Sequence, residues 1–174
     1  MNVSMNETAT MSELAAQLAA VTESAAQLCK KMSSDEWRQP YAPGKWTRLE
    51  VFGHLVDSAA HNHQRFARAL HSDSLTAPGY DGDAQVRMQH YGDAPAALLV
   101  DSWTAYNRLL SFVIARIPAE REQTMCAIAS FAPMSLRILA FDYVAHLEHH
   151  LRQVFGPGAL VSSGLPWPPA GRWQ

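Results

Sequence analysis

The chain has 174 residues, of which 48% are hydrophobic and 17% charged. That length fits one domain, and that balance is globular rather than disordered. Lys and Arg number 14 against 16 Asp and Glu, a net charge of −2, which excludes a general nucleic-acid binder with its basic excess.

Residues 1–10 are polar and read as a disordered N-terminus. From Met11 the apolar residues Leu14, Ala15, Leu18, Val21, Ala25 and Leu28 recur every three or four positions. That period predicts a helix over 11–32. Ser33, Ser34 and Asp35 break it, and Pro40, Pro43 and Gly44 make 39–45 a loop. Thr47-Arg48-Leu49-Glu50 is a capping box that opens a second helix, running to about 71. Trp46 stands where a hydrophobic staple against Val51 would sit. Residues 72–83 read as a loop, and 84–90 as a short amphipathic piece. Asp93 caps a third helix with Pro95 in its first turn, and Pro118 stops it after 117. Residues 119–132 have no clear period. Pro133-Met134-Ser135 open a fourth helix that Gly156-Pro157-Gly158 closes after Phe155. The tail, 157–174, contains Trp167 and Trp173 among prolines, which points to packing on the body or on a partner.

Four helices of roughly twenty residues without period-two strands predict an all-α four-helix bundle over 11–156. Its connecting loops are long, and the linkers after the second and third helices exceed what an up-down bundle needs. One of them is expected to cross the bundle or cover a site. Cys29 and Cys126 are far apart, which excludes a disulfide scaffold and fits a cytoplasmic protein. Glu7 and Glu13 come where a secretory signal would be basic then apolar, so none is expected. No apolar run approaches the ~18 residues of a membrane span.

The chain contains eight histidines, and protonating all of them would take the net charge from −2 to +6. Either the surface responds to pH or some imidazoles are kept neutral for a purpose. His146 and His150 are one helical turn apart and leave the same face, a bidentate clamp for a divalent cation. Two imidazoles hold a metal weakly. His54, in an apolar stretch of the second helix, supplies a candidate third ligand. Three neutral nitrogens with open positions suit Zn, Ni or Fe(II). His149 lies about 60° round the helix from His146, a substitute ligand or a supporting residue. His61 shares the stripe of His54, but it lies in a polar neighbourhood with His63, as do His71 and His90. All four read as surface or satisfied residues. Asp57, Tyr80, Asp142 and Tyr143 are the polar groups nearest the candidate ligands, and Asp57, Tyr80 and Tyr143 are the catalytic candidates. Asp142, Tyr143 and Gln153 project toward the His146 side of their helix, where one could orient a ligand imidazole.

The run from Gly44 to Leu55, Gly-Lys-Trp-Thr-Arg-Leu-Glu-Val-Phe-Gly-His-Leu, resembles a signature stretch of DinB-like proteins, including the YfiT-like metal-dependent hydrolases. The run from Ala145 to Gln153 is similar to that family's second signature, and Pro78-Gly79-Tyr80-Asp81 looks like its loop after the second helix. The resemblance implies a four-helix bundle, a homodimer, and one divalent ion on His54, His146 and His150. It further implies a hydrolase, a transferase of low-molecular-weight thiols to electrophiles, or a thiol-dependent isomerase acting on a small molecule. The competing expectation is a non-catalytic, stress-associated dimeric bundle that binds metal.

Overall fold

The computed structural model describes residues 9–161. Four long helices form a bundle: α1 (Met11–Cys29), α3 (Arg48–Ala69), α5 (Ala96–Ile114) and α6 (Leu136–Phe155). α1 packs on α5 and α6, and α3 packs on the same two. Two short helices, α2 (Ser34–Arg38) and α4 (Gly82–Met88), sit in the connections. Among the described residues, no helix is long and apolar enough to cross a membrane.

Local chemistry sets the helix starts. The Thr47 hydroxyl accepts from Glu50 N at 3.2 Å while Thr47 N donates to Glu50 Oε2 at 2.7 Å, so two orphan donors are satisfied reciprocally. The same box recurs at Thr10 with Glu13 and at Ser33 with Glu36. Ser33 therefore starts α2, where the sequence reading placed only a break. Thr10 belongs to the first helix as its cap, not to a disordered N-terminus. Residues 1–8 lie outside the described residues, as do 162–174 with Trp167 and Trp173. Of the tail, Val161 N reaches Ser24 Oγ of α1 at 3.5 Å.

Helix ends differ by a few residues from the expected ones. α1 stops at Cys29, and α5 begins at Ala96 with Pro95 as its cap residue. Asp93 lies instead in a 3-10 turn, Tyr91–Asp93.

The absence of strands is the main correction. β1 (Ser74–Ala77) pairs in parallel with β2 (Met125–Ile128), and β2 pairs antiparallel with β3 (Met134–Ser135). The sheet stitches the two long linkers together, so both of them, rather than one, cover the bundle. Their tips touch: a Cβ on Gly79 would lie 2.9 Å from Ala129 Cβ, and Ala129 N donates to Ala77 O at 2.9 Å.

Two further contacts position α3. Arg48 Nε donates to Val154 O at 3.0 Å, tying the start of α3 to the end of α6. Gly53 lets Tyr91 lie flat on α3, since a Cβ there would fall 2.2 Å from the Tyr91 ring. The seated Tyr91 donates to Asp57 Oδ1 at 2.7 Å.

Candidate metal centre

His54 comes from the first half of α3, and His146 and His150 from the second half of α6. The three Nε2 atoms converge. His146 Nε2 stands 3.4 Å from His54 Nε2 and 3.1 Å from His150 Nε2. Ligands held about 2.0–2.1 Å from a tetrahedral ion stand roughly 3.3 Å from one another, so the spacing fits. His54, His146 and His150 are, among the described residues, the group of His, Cys, Asp or Glu placed to hold an ion.

Electrostatics keep the cluster uncharged. Burial, first of all, pushes His54 down to about 4, with Asp57 and Asp83 opposing part of the shift. Burial and then the nearby His54 push His150 down to about 3. His146, between them, is held well below the ordinary imidazole value by burial and by both neighbours. Three neutral imidazoles thus aim nitrogen at one point, an arrangement suited to a divalent cation and hostile to a proton.

The surrounding residues set the tautomers. His150 Nδ1–H donates to Gln153 Oε1 at 2.8 Å, which leaves its Nε2 with a bare lone pair. The Gln153 amide also meets His149 Nε2 at 3.1 Å, and the His149 ring lies 5.2 Å from that of His150 by centroids, outside the group of three converging nitrogens. Ser58 Oγ lies 3.4 Å from His146 Nδ1. Nδ1 of His54 is buried beside Gly82 with no hydrogen-bond partner among the described residues, so no described group sets the tautomer of that ring. Trp46, just before the cap of α3, packs against the core and reaches the site. Its ring covers the cluster, 5.1 Å from His54 and 6.4 Å from His150 by ring centroids.

The histidines lie in the wall of a cavity of about 500 Å³, which Tyr80, Asp142 and Tyr143 also line. Tyr80 stacks on His61 at 4.1 Å and 10°, and burial raises its hydroxyl. His61 also meets the Gln85 amide, so it braces the Tyr80 loop and is no idle surface residue. Tyr143 donates to Asn107 Oδ1 at 2.6 Å and is sealed in the core apart from its cavity edge. Asp57 is engaged elsewhere, by Tyr91 and by Gln89 Nε2 at 3.0 Å, and supports the α4 connection. Of the three catalytic candidates, Tyr80 and Tyr143 line the cavity, and Tyr80 lies beside Ser58 and His61 within it. Sequence reasoning missed Ser58, one turn after His54, and Arg65, which lies three turns after it and lines the same cavity.

A family model, the DinB superfamily, matches residues 17–154. The chain belongs to the DinB superfamily. No curated protein matches this chain. Among solved structures, YfiT from Bacillus subtilis superposes with a TM-score of 0.74 at 19% identity, over 83% of each chain. That protein is described as "a probable metal-dependent hydrolase with an unusual four-helix bundle topology". At this identity the likeness establishes a shared four-helix bundle.

Two outcomes follow for this DinB bundle. Gln153→Leu removes the acceptor that fixes His150, and is expected to weaken zinc affinity roughly 10–100-fold in chelator competition; an unchanged affinity would contradict that role. The second concerns acid. An imidazole ordinarily takes its proton near 6.5, but folded His54 holds out to about 4 and His150 to about 3. Between those limits the unfolded chain binds more protons, so stability falls as pH falls. Metal-free protein should be fully stable above pH 6.5 and lose a few kcal/mol on acidification toward pH 4. Thermal melts across that window check it, and a flat melting temperature would count against neutral buried imidazoles.

Proposed function

We propose that this DinB bundle is a metal-dependent enzyme that activates water or a low-molecular-weight thiol against a small electrophilic substrate. The observation that carries the reading is the convergence of three neutral imidazole nitrogens at the wall of a substrate-sized cavity. His54, His146 and His150 would hold one divalent ion, with Zn, Ni and Fe(II) as the candidates for an all-imidazole set. Such an ion, when bound, lowers the pKa of a water or thiol so that a nucleophile exists at neutral pH.

The chain's own residues do the rest. Gln153 keeps the His150 lone pair on the cavity side. Trp46 shields His54 and His150 from bulk water, which strengthens the electrostatics within. Tyr80, held by His61 and carrying its proton at neutral pH, would donate a hydrogen bond to a substrate in the cavity. Water and thiol attack share these parts.

The test is reconstitution with zinc, nickel or iron(II), followed by two assays. One measures hydrolysis of small esters and amides, and the other transfer of small thiols to an electrophilic fluorophore. Metal-dependent turnover in either arm, lost with His54→Ala, is the expected result. Protein that binds metal yet turns over in neither arm, across a broad panel, would favour a non-catalytic metal-binding bundle.

A further inference from the structure

We propose that Arg65 forms an anion subsite in the histidine-lined cavity, taking the carboxylate of a small substrate whose reactive end faces the histidines. The assignment rests on the enzymatic reading above for its reactive end, but the subsite itself is argued from Arg65.

Arg65 follows His54 by eleven residues on α3. Eleven residues close three helical turns to within about 20°, so both side chains leave one stripe, their Cα atoms roughly 16 Å apart along the axis. The guanidinium reaches back toward the histidines, 5.9 Å from the Tyr80 ring, which itself lies 6.3 Å from the His54 ring. Ser58 and Asn62 occupy the stripe between them and line the same cavity. The stripe runs from neutral imidazole at one end to permanent positive charge at the other.

That charge is buried, with Arg65 only 4% exposed. A buried guanidinium is costly unless paired and hydrogen-bonded. Among the described residues Arg65 forms no ion pair, and its single hydrogen bond is a long one, 3.4 Å from Nη2 to Pro78 O. The guanidinium carries five N–H donors, so most of them have no acceptor among the described residues. Its position is nonetheless fixed. The Tyr80 ring lies 5.9 Å from Cζ, and the Pro78 carbonyl holds one side.

The surroundings narrow the anion. Asp81, Asp83 and Asp142 also line the cavity, so a doubly charged group would meet repulsion that a singly charged one tolerates better. A planar carboxylate matches the guanidinium fork in a bidentate pair. Ile128, Phe131 and Tyr143 supply an apolar wall for a hydrocarbon body. The substrate class is therefore a small, largely apolar monocarboxylate that reaches from Arg65 toward the histidines.

Calorimetric titration of the protein as purified tests this, with 3-phenylpropionate, its amide and phenyl phosphate as probes. Metal content measured on the same sample reports separately on the histidine cluster, so a metal-free result would sink the enzymatic reading and leave the subsite readable. The acid is expected to bind roughly tenfold or more tightly than the amide. Arg65→Met should abolish that preference without changing metal content, and Arg65→Lys should keep part of it. Acid binding no tighter than amide binding in the wild type, or not at all, would overturn the subsite, and this comparison needs no variant to fold. An acid preference that survives Arg65→Met would place the carboxylate on a histidine-held ion instead and would also overturn it. Phenyl phosphate binding more tightly than the acid would overturn the monocarboxylate class.

Discussion

Replacing His146 with alanine is expected to reduce bound metal from about one ion per chain to almost none. His146 is the middle member of the cluster, the one whose Nε2 approaches both His54 and His150. Its loss leaves two imidazoles, which hold a divalent ion weakly, and turnover should fall with the metal. Stability should respond in a specific way. The wild-type chain, given metal at about a thousand times its dissociation constant, gains about 4 kcal/mol by binding linkage. For a chain of this size that is a rise of roughly ten degrees in melting temperature. His146→Ala should lose that rise, while its metal-free melting temperature stays close to the metal-free wild type. A variant that melts far below metal-free wild type would make His146 a structural core residue and not a binding group.

Phe52→Ala should do the opposite. Phe52 is fully buried, on the face of α3 opposite the cavity. Its ring lies edge-on to Trp37 at 5.0 Å, Trp103 at 5.3 Å and Phe155 at 6.3 Å, so it joins α2, α5 and α6. Removing it leaves a cavity that close-packed neighbours cannot fill, at a cost of about 3–5 kcal/mol. Chemical denaturation should show that loss, with metal stoichiometry kept below the melting transition. A change under 1 kcal/mol would mean that this aromatic cluster does not hold the helices together. The two variants thus separate the site from the scaffold, although their residues belong to adjoining parts of one bundle.

The legible parts of the fold are those with local causes. The box of Thr47 and Glu50, the apolar stripe of α1 and the break at Gly156 each follow from neighbouring residues, and each is present. The box of Ser33 and Glu36 carries the same signal. It is easily passed over because α2 has five residues and a single buried one, Trp37. The sheet was hidden for a different reason. Leu75 and Ala77 alternate with exposed neighbours, and on β2 Cys126 and Ile128 alternate with exposed Met125 and half-buried Ala127. A four-residue alternation is too short to distinguish from a loop, and the pairing joins segments some fifty residues apart. Long-range pairing leaves little local trace.

The site divides in the same way. His146 and His150 share a face by spacing alone, and the structure brings His54 to them. Gln153 was legible as a candidate because it projects toward the His146 side of α6, and the imidazole it meets is that of His150. Asp57 was named for its nearness in sequence to His54, which says nothing of Tyr91, thirty-four residues on, whose hydroxyl donates to it. Trp46 was read through the capping rule, yet its ring lies over the imidazoles, a placement that needs α6 to be in view. Arg65 shared the stripe of His54 from the start. Charged residues near the end of a helix read as solvated, and only its burial reveals otherwise.

The most direct measurement is elemental analysis of the purified protein, combined with X-ray absorption at the edge of whichever metal is found. The account predicts one divalent ion per chain, with three imidazole nitrogens at about 2.0–2.1 Å for zinc. Protein that carries no metal, and takes up none of zinc, nickel or iron(II) at neutral pH, would contradict it.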